Sequence, residues 1–269
     1  MSKRLDLARP RSVILWAVLV GIVAGLFAAT FLRIVAEPVI DDAIAIEDAR
    51  IAAEPHHAAD PEQVSRDDQK GAGLFIGWAF LGAAYGLILS ITALALRGRW
   101  LDPFRRVAVA GTIIAGALVA VPWLKYPPNP PAVGDPATAG ERQRLWWFVI
   151  ILGVLVLAGL AHLSSRLRQA DWSDARRIAV VAALGVVAFG LIMVLMPGNP
   201  DTIPDEVPAA LIWRFRLASL GGNAVLWGLL TVGFGLLCSE AARRPVGAAA
   251  TEPAGDQNSM PFRADMPLS

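Results

Sequence analysis

Hydrophobic positions along this chain gather into six long runs, at residues 13–35, 73–96, 107–124, 145–163, 178–196 and 217–238. Each is of the order of the ~17–25 apolar residues that an α-helix needs to cross ~30 Å of hydrocarbon. The pattern predicts an all-α integral membrane protein, a bundle of six transmembrane helices over residues 13–240. Between the first two runs the stretch 38–53 has a different rhythm. Val39, Ala43, Ile46, Ala49 and Ala53 recur at helical spacing, which predicts a surface helix lying along the membrane. Within 122–136 six of fifteen residues are proline. Proline fixes φ, lacks an N–H and pushes the preceding residue out of helical geometry. The third helix must therefore stop here and pass into a rigid, shaped connection, with Gly134 as a further turn signal.

Glycines add detail to the runs. Gly21 and Gly25, Gly73 and Gly77, and Gly82 and Gly86 each repeat a small-xxx-small spacing, which in lipid lets helix backbones approach closely. Gly71-Ala-Gly73 does not continue as a dinucleotide fingerprint. The first run exceeds the 7–15 residues of a signal-peptide core, and no small-x-small cleavage site follows it, so it is expected to be retained. Arg33 in its last turn is placed to snorkel or to pair with Glu37.

Composition supports the membrane reading: 55% of the 269 residues are hydrophobic, 17% are charged, and mean hydropathy is +0.53. Net charge of +1 gives no case for a nucleic-acid partner, because the charges are sorted by loop. The N-terminal segment 1–12, the 97–106 and 164–177 loops and the C-terminal tail hold 15 Lys and Arg, against 8 in the alternate loops 36–72, 125–144 and 197–216. Acidic residues run the other way, 8 against 15. Basic loops stay in the cytoplasm, so both termini are expected there. Residues 241–269, rich in Ala, Pro and Gly, are expected to be a disordered cytoplasmic tail. The one cysteine, Cys238, excludes an intrachain disulfide and a Cys-only metal site.

Candidate chemistry lies mostly in the alternate loops. Residues 37–70 hold ten carboxylates together with His56 and His57, which lie between Glu54 and Asp60. Imidazole with carboxylate suits divalent first-row metals, and the negative segment attracts cations. His56, His57, Glu54 and Asp60 form the candidate metal set; the alternative is a solvated acidic loop. Lys125, Tyr126, Asn129 and Asp135 belong to the candidate external mouth built by the proline segment. Lys125, Arg142, Arg144, Arg214 and Arg216 are expected to pair with Asp135, Glu141, Asp205 and Glu206, or else to line an anion site. Asn223 inside the sixth run needs a partner in lipid and should face another helix, as interhelical glue or as a permeation contact. Met193 and Met196 end the fifth run, where packing accounts for them more readily than thioether ligation, and His162 ends the fourth as either a boundary residue or a metal exit ligand. Residues 127–144 and 197–214 match at a spacing of 70 in Pro, Asn, Pro, Asp and Arg, which suggests duplicated helical hairpins. No nucleophile–base pair, zinc spacing or phosphate loop is present, so an enzyme is not expected and no bound cofactor is implied.

Leu124-Lys-Tyr-Pro-Pro-Asn-Pro-Pro-Ala-Val-Gly-Asp-Pro136 resembles the proline-rich signature of the CbtA family of predicted bacterial cobalt transporter subunits. Glu37-Pro-Val-Ile-Asp-Asp-Ala-Ile-Ala-Ile-Glu47 and Trp213-Arg-Phe-Arg-Leu-Ala-Ser-Leu220 are similar to that family too, and the likeness covers about residues 12–240. It departs at Ala139-Gly-Glu-Arg-Gln-Arg144, where the family is expected to have a Thr-Ile-Gly-x-Arg-Thr-like sequence. The resemblance implies a multi-pass protein of the bacterial inner membrane. It also implies Co2+ uptake linked to cobalamin synthesis, and a small single-span, histidine-rich CbtB-like partner. The competing readings are a non-transporting scaffold or assembly subunit, and a permease for nickel or another divalent ion.

Overall fold

The computed structural model describes residues 5–53, 65–96 and 102–243, apart from 132, 135 and 202. Of the candidate residues, Glu54, His56, His57, Asp60 and Asp135 lie outside the described residues, as does nearly all of the expected disordered tail. Helices account for almost everything that is described, and no strand occurs among those residues. Helix α1 is Pro10–Val35 and α2 is Glu37–Ala53. The remaining helices are α3 (Arg66–Ala95), α4 (Pro103–Lys125), α5 (Ala139–Gln169), α6 (Asp174–Leu195) and α7 (Ala209–Arg243). Six of the seven, all but α2, are long and apolar enough to cross a membrane. Each of the six overlaps one hydrophobic run, and most extend beyond it by a turn or more.

Local chemistry sets the helix ends. Asp102 caps α4, its carboxylate accepting from the backbone N–H groups of Phe104 and Arg105 at 3.1 and 3.3 Å, with Pro103 in the first turn. Both are standard start signals. Asp171, at φ 55°, turns the chain out of α5, and the Trp172 N–H closes that end on the Leu167 carbonyl. Pro122 falls inside α4 and has no N–H to give the preceding turn. The helix widens into a π-bulge over Gly116–Ala120 just before it.

Helices α1, α3, α4 and α7 form a core bundle around Ala17, Ala24, Leu89, Val107, Leu226 and Phe234. Helices α1 and α3 make the closest pair. A Cβ added at Gly21 would run into the Gly82 carbonyl, one at Gly82 into the Gly21 carbonyl, and one at Gly25 into the Trp78 carbonyl. Two of the three small-xxx-small motifs thus face each other. The third does not: a Cβ at Gly77 meets nothing within 4 Å.

The α5–α6 hairpin stands beside this core and leans on α4 beyond its π-bulge. Val149 and Ile192 pack with Tyr126 there. The outer face of α6 is bare, with Val194 80% exposed, as expected for a lipid-facing helix. The fourth span packs on the third, whereas the fifth does not pack along the sixth. The two hairpins matched by the 70-residue spacing therefore pack differently.

Helix α2, the proline segment and the 196–208 loop meet at one end of the bundle, the proline side. Val39 and Ala43 of α2 pack there against Val133, Val207, Leu211 and Ile212, with Ile46 beside them. The inner half of the predicted helical stripe is thus buried against protein, while Ala49 and Ala53 remain exposed. Glu37 is also buried, 4% exposed, and is paired by Arg66 of α3, which reaches Asp41 at 3.1 Å as well. Arg33 is exposed, in keeping with the first of the two positions expected of it, and is not the partner of Glu37. Arg66 reaches that carboxylate from a neighbouring helix.

Candidate functional site

Asp201 is the centre of the proline side. Its side chain is 0% exposed, and a buried carboxylate must be paired or fully hydrogen-bonded. Arg142, from the first turn of α5, donates to it at 2.7 Å. The Asn129 amide donates to the same oxygen at 3.1 Å. Asn129 then accepts from Arg216 of α7 at 2.9 Å, and Arg216 also donates to the Pro128 carbonyl at 3.3 Å. One chain of bonds therefore ties α7, the proline segment, the 196–208 loop and α5 into a clamp.

Two further contacts fasten the segment to the end of α6. The Lys125 ammonium donates to the Met193 carbonyl at 2.9 Å, and the Tyr126 hydroxyl donates to the Pro197 carbonyl at 2.9 Å. Burial pushes the Tyr126 phenol up from its ordinary pKa, so it remains a donor at any physiological pH. The prolines serve this arrangement by removing N–H groups that would otherwise need partners in the packed interior; Pro122 and Pro130 are fully buried.

Gly134 closes the clamp from above. Its φ of +121° lies where side chains are strained, and a Cβ there would collide with the Asp201 carboxylate. We expect Gly134→Ala to destabilise the protein by roughly 1–3 kcal/mol, the range for a side chain held in a sparsely populated backbone region. A lowered thermal midpoint of the purified protein would show it. An unchanged midpoint would mean that the clamp relaxes freely.

Two cavities flank the clamp. The outer one, of about 420 Å3, is lined by Glu47 of α2 together with Pro130, Val133, Gly134 and Phe215. The inner one, of about 670 Å3, lies between the proline segment and α3, α4, α5 and α7. Trp78, Tyr85, Trp123 and Trp146 give it an aromatic lining, and Gln143, Ser219 and Asn223 give it polar groups. Asn129 and Arg142 belong to the walls of both. They form the wall that the two cavities share.

The sequence-derived candidates divide across this geometry. Tyr126 and Asn129 line the inner cavity, and Lys125 acts as a tether beside it. Asn223 lines the cavity too, but its amide donates to the Ser219 carbonyl one turn back on its own helix, at 3.0 Å. It is therefore not the interhelical link expected of it. The basic residues find other partners than those predicted: Arg142 takes Asp201, Arg214 takes Asp42 at 3.5 Å, and Arg216 takes Asn129. Among the described residues no group of three or more His, Cys, Asp or Glu side chains is placed to hold a metal ion. Asp201 carries no sequence signal that sets it apart from Asp205 and Glu206. Tyr85, Gln143 and Ser219 are single polar residues in or beside apolar runs. His162 sits on the exposed surface of α5 near its far end.

Comparison with curated proteins and with solved structures gives no match. The family described as probable cobalt transporter subunit (CbtA) matches residues 10–239, from the start of α1 almost to the end of α7, clamp and cavities included, and the chain belongs to that family.

Proposed function

We propose that this chain is the larger, membrane-embedded subunit of a Co2+ uptake permease in a bacterial inner membrane. In this reading both termini are cytoplasmic, the proline side faces outward, and the imported cobalt serves cobalamin synthesis. The observation that supports it is the pair of cavities that share Asn129 and Arg142 of the clamp, with Glu47 of α2 in the wall of the outer one. Helix α2 and the residues after it collect the ion electrostatically, with Glu54, His56, His57 and Asp60 as transient ligands. In this proposal the ion then passes the Asn129–Asp201–Arg142 clamp into the inner cavity. A doubly charged ion gains about 4.6 kcal/mol moving inward across about 100 mV, so the membrane potential alone can drive entry. A single-span, histidine-rich CbtB-like subunit supplies the ligands that the described spans lack.

Radiolabelled Co2+ uptake tests this in cells lacking other cobalt transporters, with this chain alone, the partner alone, and both, and with excess Ni2+ or Zn2+ as competitor. Saturable uptake that requires this chain is expected, with His56→Ala/His57→Ala lowering capture several-fold at low Co2+. Competition by Ni2+ as strong as by Co2+ itself would widen the substrate to divalent metals generally. Uptake unchanged by removal of this chain would leave a scaffold role in its place.

A further inference from the structure

We infer that the end of the bundle opposite the proline side carries a site for an anionic phospholipid, whose phosphate is taken by Arg106. The inference stands apart from the permease reading. The starts of α1 and α4 and the ends of α3 and α7 meet at this end around a crevice of about 270 Å3. Leu7, Val13, Leu94, Val107 and Cys238 give it apolar walls, and Arg106 is the one charged side chain among its described lining residues. Phe104, two residues earlier, sits against α7, where a Cβ added at Gly235 would meet its ring at 2.9 Å. Packing thus fixes the first turn of α4, and with it the place of Arg106.

Among the described residues Arg106 has no counter-charge. Its Nε is buried without a hydrogen-bond partner, and an unmade bond at a buried donor carries a desolvation cost. The described carboxylates nearest the crevice in sequence are engaged elsewhere: Asp6 pairs with Arg9, Asp102 caps α4, and Glu240 pairs with Arg243. The helix itself adds to the imbalance. Its N-terminal end carries positive partial charge, where cations are disfavoured, yet Arg105 and Arg106 both lie in the first turn of α4. By sequence, the stretches 1–4 and 97–101, outside the described residues, add Lys3, Arg4, Arg97 and Arg99 and no carboxylate. An anion from outside the chain would relieve the whole group.

The walls decide which anion. Free phosphate would satisfy the guanidinium and gain nothing from Leu7, Val13, Leu94 and Val107. A phospholipid brings phosphodiester oxygens for the N–H fork of the arginine, and glycerol and acyl methylenes for the apolar walls. Basic pockets between spans, at an end where Lys and Arg concentrate, suit anionic headgroups. Phosphatidylcholine carries its own cation, which the surrounding arginines repel, so an anionic lipid should be preferred.

Native mass spectrometry of the purified full-length protein, in detergent micelles supplied with phosphatidylglycerol or with phosphatidylcholine, reads the site directly. One phosphatidylglycerol per chain should bind saturably and in preference to phosphatidylcholine. Arg106→Gln is expected to weaken that binding about tenfold, the worth of a hydrogen bond to a charged group. Arg105→Gln, which removes an exposed charge from the same turn, should leave it close to wild type. Thermal unfolding is the second readout. Phosphatidylglycerol should raise the midpoint above that in phosphatidylcholine for the wild type and Arg105→Gln, but not for Arg106→Gln. The wild-type comparison of the two lipids stands whatever the stability of the variants. Equal retention of both lipids by the wild type would overturn the inference, as would equal retention of phosphatidylglycerol by wild type and Arg106→Gln. Equal weakening by Arg105→Gln and Arg106→Gln would put a diffuse basic surface in place of the site. Displacement of the lipid by glycerol 3-phosphate at matching concentration would make it a site for free phosphate esters instead.

Discussion

Gly82→Val is expected to lower the stability of the purified protein by about 3 kcal/mol, the upper end of the ordinary cost of overpacking a tight interface. The size follows from what the new side chain meets. At Gly82 and Gly21 the obstacle is the backbone carbonyl of the facing helix, which cannot rotate away as a flexible side chain would. The helices must separate, and separation forfeits packing along the whole α1–α3 seam, including the mirrored contact of Gly86 with the Ala17 carbonyl. In lipid there is no hydrophobic driving force to offset that loss, because van der Waals packing is what holds such a pair together. Gly77→Ala is the matched control. It has the same residue type, helix and spacing signal, but open space around the position, so its stability should stay within about 0.5 kcal/mol of wild type. Thermal unfolding in detergent, followed by circular dichroism and by size-exclusion elution, separates the two. A Gly77→Ala protein as damaged as Gly82→Val would mean that the outer face of α3 is also a tight interface.

The contrast between those glycines marks where the sequence stops being readable. The spans were legible because a bilayer demands long apolar runs whatever their neighbours are, and α2 was legible because a half-buried helix must repeat its apolar positions. Spacing alone cannot tell Gly73 and Gly77 from Gly82 and Gly86, since the difference lies in which helix arrives opposite. Charge partners fail for the same reason. Local acidic residues such as Glu141 and Asp205 are near Arg142 and Arg214 in sequence, yet the pairs that form join Arg142 to Asp201 and Arg214 to Asp42 across long stretches of chain. That the proline segment ends the third helix was readable; that it folds down on one buried carboxylate was not. The inner cavity takes its walls from four helices and two loops, and its polar groups come one or two at a time from separate stretches, so no single stretch announces it. Asn223 stood out because an amide within an apolar run has to be explained.

Removing Arg142 should cost more than removing Asp201, and the asymmetry identifies which end of the clamp is sealed. Arg142→Ala takes the guanidinium from a wholly buried carboxylate that keeps hydrogen bonds from Asn129 and Thr138, for an expected loss of about 3–5 kcal/mol, the cost of breaking a buried ion pair from one side. Asp201→Ala leaves an arginine whose side chain is 32% exposed and can turn toward water. Its expected loss is about 1.5–3 kcal/mol, the worth of hydrogen bonds to a charged group. The double variant Arg142→Ala/Asp201→Ala should be more stable than Arg142→Ala, because no buried charge is left without its counter-charge, and the double-mutant cycle built on these three variants should return a large coupling energy. Function should separate from stability in the same series. In Asp201→Ala the wall shared by the two cavities loses its central bond while the spans stay in place. Co2+ entry should then be less saturable and less selective, at protein levels close to wild type. Equal destabilisation by Arg142→Ala and Asp201→Ala, with uptake unaltered in the second, would mean that the clamp fastens the loops without standing in the path of the ion.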